Sequence, residues 1–303
     1  MQAHVMALMQ QESLENLNQY MGKINFHIYM IVRRPRIAFK PDSIKFSPTI
    51  VDGTFTIQKG ALLEEYAFSA PNAFGSDSIR VNCPWPHTQY EFVDINDKVL
   101  SKGKVALLLP KINPEYWRHL NLEIMYVGQS YGVAGERAAK DRLVSHSTLQ
   151  KIYSEAQQRA PDQEIWIVMF ELKDMFIMSI DGTDGSVETT DAEDDSHIHE
   201  VLSTPISESQ KINFTEAALI KYFQPEYNMV FLKSFPNPAH KTYSECYGLD
   251  INSVAFEIDS EDLINCRLWS KVVPPKWVHF GMFPLHDVNE RRGLFEIDGI
   301  LPK

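Results

Sequence analysis

The stretch Met125–His146, MYVGQSYGVAGERAAKDRLVSH, contains the residues on which the predicted fold depends. It begins within the apolar segment 122–129, crosses a glycine-spaced loop, and ends in a run with helical spacing. On a continuous helix Arg142 and His146 share one face, because they are four residues apart. The stretch therefore predicts a strand, a loop and a helix that bring Tyr126, an arginine and a histidine near one another.

The segments around this stretch indicate a mixed α/β fold. Lys104–Pro110 (KVALLLP) is a short apolar run that predicts a buried strand, and 122–129 and 164–172 predict two more. A helix is predicted over 136–158, so the element order is β-β-α-β. A second helix is predicted over 213–228. Its start matches a capping box, in which a capping asparagine is followed three residues later by a glutamate.

The negative charge of the chain is concentrated in one segment. The formal net charge is -11, and ten acidic residues without any Lys or Arg lie between Asp174 and Gln210. Without those ten charges the net charge is -1, so a surface that binds nucleic acid is compatible with the rest of the chain. Residues 181–200 have no periodicity and predict a mobile acidic loop. We expect that loop to repel nucleic acid until it is displaced.

The length of 303 residues and the shifts in composition divide the chain into three parts. Residues 1–102 predict a short amphipathic helix followed by a β-rich domain. Residues 103–235 form the α/β domain with an acidic insertion at about 174–210, and residues 236–303 form a C-terminal extension with a strand at 253–258. Three scattered cysteines predict a reducing, cytoplasmic location. No stretch has the apolar length to cross a bilayer, so no membrane partner is expected.

The side chains of the α/β domain suit phosphodiester hydrolysis when they are taken together. A carboxylate, Glu216 here, can hold a divalent metal ion that polarises a phosphate oxygen. An arginine such as Arg142 donates to the phosphate where charge builds up in the transition state. A tyrosine or a histidine, Tyr126 or His146, can handle the proton of the attacking water.

Three groups of residues, in chain order, resemble the GIY-YIG nucleases. The first is Tyr126-Val-Gly-Gln-Ser130, which resembles the second signature strand of the family. The second is Arg142-Leu-Val-Ser-His146, which resembles the arginine helix. The third is Glu216 with Pro225-Glu-Tyr-Asn228, which resembles the glutamate helix and the turn after it. The resemblance covers about 103–232.

The resemblance implies a small antiparallel three-stranded sheet flanked by helices, and an endonuclease acting on nucleic acid, with DNA favoured. It implies one Mg or Mn ion on Glu216, and it places Arg142 on the scissile phosphate. It implies that Tyr126 binds the phosphate or positions the water and that His146 assists the proton transfer. It also implies that Asn228 holds the site together. The implied substrate contacts are Gly128, Gln129, Ser130 and Lys140.

One part of the family pattern has no counterpart in the expected place. The first signature strand of the family carries Gly-Ile-Tyr, whose tyrosine is often assigned as the general base, but Lys104–Pro110 contains no tyrosine. Tyr116 precedes Tyr126 by ten residues, in a segment that predicts a loop or a short helix. Either Tyr116 or His146 takes the place of the base, or the site cuts poorly or not at all.

Two functions follow from this pattern. The first is an endonuclease whose β-rich N-terminal part selects a substrate or partner, including action as an effector within a larger complex or in genome defence. The second is a catalytically impaired binding or scaffold protein on the same fold. In both, a protein partner is expected to bind through residues 1–102 or 236–303.

Overall fold

The computed structural model describes residues 1–11, 24, 26–129, 147–174, 190–237, 251 and 253–285. These residues have a mixed α/β fold in which strands form three sheets and helices cover them, as the sequence predicts at that level. The strands, in chain order, are β1 (Gln2–Met9), β2 (Ile28–Pro35), β3 (Ile37–Phe39), β4 (Lys45–Phe46), β5 (Ile50–Lys59), β6 (Leu62–Pro71), β7 (Arg80–Asn82), β8 (Gln89–Val93), β9 (Val99–Lys104), β10 (Leu122–Gln129), β11 (Gln163–Lys173), β12 (Ser253–Asp259), β13 (Leu268–Trp269) and β14 (Val278–Pro284). The helices are α1 (Val105–Ile112), α2 (Ser147–Arg159), α3 (Asp191–Ser203), α4 (Glu208–Phe223) and α5 (Glu261–Ile264), with a 3-10 helix over Pro114–His119.

The largest sheet has seven strands in the order β13-β10-β2-β11-β1-β12-β14. Within it, β2 lies between β10 and β11 and is antiparallel to both. The predicted strands 122–129, 164–172 and 253–258 correspond to β10, β11 and β12 and are confirmed. Strands β1 and β2 lie in this sheet beside them, although the sequence places both within the N-terminal region 1–102.

Strand β2 supplies apolar side chains to both faces of the sheet, because successive residues of a strand alternate in direction. Tyr29 and Ile31 point to the face that α2 covers, which we call the α2 face. Ile28 and Met30 point to the opposite face, which we call the insert face. All four side chains are fully buried. This burial on both sides explains why the strand reads as an unbroken apolar run in the sequence.

Between β2 and β10 the chain forms a strand-rich segment, which we call the insert (residues 36–121). In its first sheet β5 pairs with β3, β4 and β6, and β7, β8 and β9 form a separate three-stranded antiparallel sheet. The buried aromatic residues of the insert belong to the same apolar cluster as the insert face of the main sheet. Helix α4 packs into that cluster as well, so the insert, α4 and the sheet share one core.

The predicted strand Lys104–Pro110 is wrong, because this segment forms helix α1. Val105, Ala106 and Leu109 are buried, whereas Leu107 is exposed. Positions 105, 106 and 109 lie on the same side of a helix, so their burial is the pattern of a helix. The apolar run is too short for its sequence alone to distinguish the two structures.

Two other predictions about local structure are corrected. In the N-terminal segment, residues 2–9 form β1, which pairs with β11 along its length, and not a helix. Neighbouring strands decide this, because they satisfy the backbone groups and override a weak helical pattern. The rest of that predicted helix, from residue 12 on, lies outside the described residues. The predicted loop 181–200 contains the start of helix α3, whose capping box joins Thr190 and Glu193. Residues 175–189 lie outside the described part.

The helix predicted over 213–228 is present but begins earlier, since α4 spans Glu208–Phe223. Asn213 therefore lies inside the helix and does not cap it. The chain leaves the helix at Gln224, which has a left-handed backbone, and Pro225 follows as predicted. Among the described residues, no helix has the length and apolar character required to cross a membrane.

Candidate active site

Two tyrosines meet across β2 and β10. Gly128 is the register partner of Tyr29, and the ring centroids of Tyr29 and Tyr126 are 6.2 Å apart. A Cβ atom at position 128 would lie 2.7 Å from ring atoms of both tyrosines. That distance is shorter than a carbon–carbon contact allows, so only glycine fits there without displacing a ring. The α2 face of the sheet thus carries a tyrosine pair that closes over the backbone of Gly128.

An ion pair fixes the register of β2 and β10 on the N-terminal side of the register shift that precedes Tyr126. Arg33 of β2 faces Glu123 of β10, and the Arg33 Nε donates to the Glu123 carboxylate at 2.7 Å. The Glu123 side chain is almost fully buried, so a shift in pairing would leave a charge without its partner. The pair therefore supports the pairing of the first half of β10 with β2, and the register shift between Ile124 and Tyr126 then sets Tyr29 opposite Gly128.

Asn228 holds the outer edge of β10. Its Oδ1 accepts from the Val127 N–H at 2.9 Å, and its Nδ2 donates to the Val127 carbonyl at 2.9 Å. The preceding N–H, of Tyr227, donates to the Met125 carbonyl at 3.1 Å. Strand β13 covers only Leu122 and Glu123 on this edge. The turn after α4 therefore takes the place of a neighbouring strand beside Tyr126 and Gly128.

Helix α4 brings Glu216 to the end of the same strand. The Gln129 side chain, next to Gly128 in the chain, donates to Asn213 Oδ1. Glu216 follows Asn213 by three residues, a spacing that places both on one side of a helix. Both side chains are half-buried, whereas Thr215 and Ala217 between and beside them are buried. Glu216 therefore lies about one helical turn from the contact that fixes the end of β10.

Comparison of the chain with protein-family models, with curated proteins and with solved structures gives no match. The residues around β10 are therefore the basis for inferring a function.

Four of the predicted site residues, Tyr126, Gly128, Gln129 and Asn228, lie on the C-terminal half of β10 or bond to it. Glu216 lies on α4, which packs against the insert face, whereas the tyrosine pair lies on the α2 face. Tyr116 lies in the insert, on the 3-10 helix, where its ring contacts Phe55 at 4.9 Å between centroids. Four more predicted residues, Ser130, Lys140, Arg142 and His146, lie outside the described part of the chain.

Tyr29 is the site residue that sequence reasoning missed. It lies opposite Gly128 on β2, whereas the sequence pattern assigned the place of the first strand to Lys104–Pro110, which contains no tyrosine. The signal was present in the segment His27-Ile28-Tyr29, where histidine precedes the Ile-Tyr pair. The insert separates β2 from β10 in the sequence, so no short-range pattern connects Tyr29 with Gly128. Tyr29 has no exposed surface, whereas Tyr126 is half-buried.

His27 lies at the start of β2 among acidic neighbours. Burial lowers the pKa of His27, although the carboxylates of Glu208 and Glu171 act in the opposite direction. Glu171 also contacts His4, with 3.3 Å between Nε2 and the carboxylate. Because burial outweighs the two acids, His27 is neutral at pH 7. It therefore adds no positive charge to this end of the sheet.

The donor set at Glu216 fits a metal ion that is shared with a substrate. Among the described residues, no group of three or more His, Cys, Asp or Glu side chains is placed to hold a metal ion. Mg²⁺ in nucleotide-handling sites is commonly held by one or two carboxylates, and water and substrate phosphate oxygens complete the coordination. A single half-buried carboxylate such as Glu216 meets that requirement.

Proposed function

We propose that the chain is a metal-dependent endonuclease with a GIY-YIG-like core, acting on nucleic acid, with DNA favoured. The observation that carries the proposal is the alignment of Tyr29 with Gly128 beside Tyr126 on antiparallel strands. Strands β10, β2 and β11 would be the three-stranded sheet of the core. Tyr29 would then belong to the first signature strand, and the insert would separate the two signature strands.

In this proposal each residue around β10 has a distinct task. Tyr126 binds the phosphate or positions the attacking water, and Tyr29 takes part in the proton transfer with His146. Asn228 keeps the backbone of β10 in place, and Gly128 lets the rings of Tyr29 and Tyr126 pack over that backbone. Arg142 would stabilise charge on the scissile phosphate. A divalent ion held by Glu216, Mg or Mn, would stabilise the leaving oxygen.

A plasmid-nicking assay with Mg²⁺ and Mn²⁺ tests the proposal and separates Tyr29 from Tyr116. Tyr29→Phe, Glu216→Gln and Arg142→Lys should each lower the rate of nicking by about a hundredfold or more, as loss of a catalytic group does. Tyr116→Phe should cut like the wild type, because Tyr116 packs in the insert. Loss of activity in Tyr116→Phe together with full activity in Tyr29→Phe would contradict the assignment.

A catalytically impaired nucleic-acid-binding or scaffold protein is the second candidate. The complete burial of Tyr29 and the histidine in place of the family's glycine favour it. In that case the wild type would bind DNA or RNA with strong salt dependence but would not cut in either metal. Binding and nicking measured on the same preparation distinguish the two candidates.

We also propose a protein partner and a reducing, cytoplasmic location. Exposed apolar side chains on the insert support a protein partner, and with it the role of an effector in a larger complex or in genome defence. The most exposed are Leu62, Trp85 and Ile95. Cys83 and Cys266 are free thiols, which supports a reducing, cytoplasmic location.

A further inference from the structure

A groove lies next to the candidate active site, between α2 and the turn that follows α4. Its volume is about 500 Å³. One wall is the polar side of α2 and the other is formed by residues 226–229. The side chains used below are Lys151, Glu155, Arg159, Tyr227 and Met229.

Both walls of the groove are attached to the strands that carry the tyrosine pair. On one side, the Tyr227 N–H is bonded to Met125, and the next residue, Asn228, holds Val127. On the other side, Leu149 and Ile152 of α2 pack in the same apolar cluster as Tyr29. The groove therefore keeps a fixed position relative to Tyr29 and Tyr126.

The lining of the groove contains two accessible cations, one aromatic ring and two carboxylates, of which that of Glu226 is paired with Lys271 outside the groove lining. The side chains of Lys151 and Arg159 are 64% and 73% exposed, and both lie near Glu155, at 3.8 Å and 3.4 Å. Contacts of this length at an exposed surface contribute little, so either cation is free to turn toward a ligand. The Lys151 ammonium also lies 5.7 Å from the centre of the Tyr227 ring.

The Tyr227 ring is held in place as a neutral surface. Its hydroxyl donates to Glu155 at 2.7 Å, and Met229 beside it is 87% exposed. Burial and, after it, the Glu155 carboxylate raise the pKa of Tyr227 to about 12. The phenol therefore stays protonated at neutral pH. An aromatic face and a mobile thioether are surfaces on which bases stack or pack.

We propose that this groove binds the nucleotide adjacent to the scissile phosphate, with its phosphate on Lys151 and Arg159 and its base against Tyr227 and Met229. The inference rests on the proposed function, because it assumes that the substrate strand crosses the tyrosine pair. It names a second contact region on the same strand, beyond the reacting phosphate. Together these groups match a nucleotide, because cations bind its phosphate and an aromatic surface binds its base.

Equilibrium binding of fluorescein-labelled 20-mer oligonucleotides, single-stranded and duplex, tests the groove. The Glu216→Gln protein serves as the parent, so that cleavage does not interfere. Lys151→Gln should weaken binding about three- to tenfold and lower the slope of log K against log salt by about one. Lys45→Gln is the matched control, because Lys45 is an exposed lysine on the insert.

Glu155→Gln should change the binding affinity in the opposite direction, which a loss of structure at the groove would not do. The amide still accepts from the Tyr227 hydroxyl but no longer attracts the two cations, so affinity should rise severalfold. Met229→Ala should weaken binding without a change in the salt slope, because it removes a contact with the base. Thermal melts of every variant should match the parent within about 2 °C, since all four side chains are surface groups or keep their hydrogen bond.

The outcomes separate failure of the groove from failure of the nuclease. If the wild type binds and cuts while Lys151→Gln and Glu155→Gln bind like Lys45→Gln, the groove proposal is overturned and the nuclease stands. If the wild type binds but does not cut, the nuclease is overturned, and the salt slopes still decide the groove. If the wild type binds neither oligonucleotide, both proposals are overturned.

Discussion

Replacing Asn228 with alanine tests whether the turn after α4 acts as a neighbouring strand for β10. The Asn228 side chain is buried, and both of its hydrogen bonds to Val127 measure 2.9 Å. Asn228→Ala removes two bonds and leaves a buried N–H and C=O without partners. An unsatisfied buried group costs about 1–3 kcal/mol. We therefore expect the free energy of unfolding to fall by about 3 kcal/mol.

The thermal midpoint gives a second measure of the same loss. Unfolding entropies of about 2 cal/mol/K per residue give about 0.6 kcal/mol/K for this chain. A loss of about 3 kcal/mol then lowers Tm by about 5 °C. Urea denaturation followed by circular dichroism should show a lower midpoint with an unchanged slope, since the surface exposed on unfolding stays the same.

The control for this experiment is Asn82→Ala. Asn82 is exposed, and its amide makes one long contact of 3.4 Å with Glu91. A substitution of this kind changes stability by no more than about 0.5 kcal/mol. If Asn228→Ala is as stable as Asn82→Ala, then Asn228 does not secure β10, and its assignment to the site loses its physical basis.

Three further predictions concern the tyrosine pair, a buried histidine and the acidic helix. Gly128→Ala should destabilise the protein by about 1–3 kcal/mol and abolish nicking, because its Cβ displaces both rings; full activity in the assay would refute this. His279 is buried, its Nε2–H donates to the Leu268 carbonyl, and burial lowers its pKa to about 4. As the pH falls from about 6.5 to 4, the unfolded chain takes up a proton at this histidine and the folded chain does not. Urea titrations should therefore show that the free energy of unfolding falls by up to about 3 kcal/mol, and this fall should be absent in His279→Gln. Asp195→Asn combined with Glu200→Gln should raise affinity for oligonucleotides a few-fold at 50 mM salt and less at 200 mM, and equal affinities would contradict repulsion by α3.

Local sequence patterns were sufficient for the elements that are long and regular. Strands β10 and β11 and helix α4 have clear periodicity, and their predicted positions are confirmed within a few residues. Asn228 and Glu216 could be assigned to the site because a turn and a helix next to each other in the chain stay together in space. These assignments depend on residues that are close together in the chain, and that closeness can be read from the sequence.

The pairing of β2 with β10 could not be read in the same way. A strand buried on both faces has an apolar run without alternation, so its neighbours are not encoded in the run itself. Tyr29 lay in the predicted β-rich N-terminal domain, and the insert separates it from its partner in β10. The apolar run of α1 was then assigned to the vacant position, because the short segment is compatible with either structure. One distant pairing therefore accounts both for the wrong strand and for the absence of Tyr29 from the residues assigned from the sequence.

The shared core of the insert and the main sheet has a consequence for cooperativity. The chain leaves the sheet after Pro35 and returns at Leu122, and closing such a long loop costs about 3 kcal/mol more than closing a tight turn. Phe55 and Phe68 of the insert belong to one apolar cluster with Val32 of β2, so the insert cannot unfold without uncovering the sheet. The described part of the protein should thus melt in a single calorimetric transition, with β2 and β10 pairing only when the segment between them has condensed.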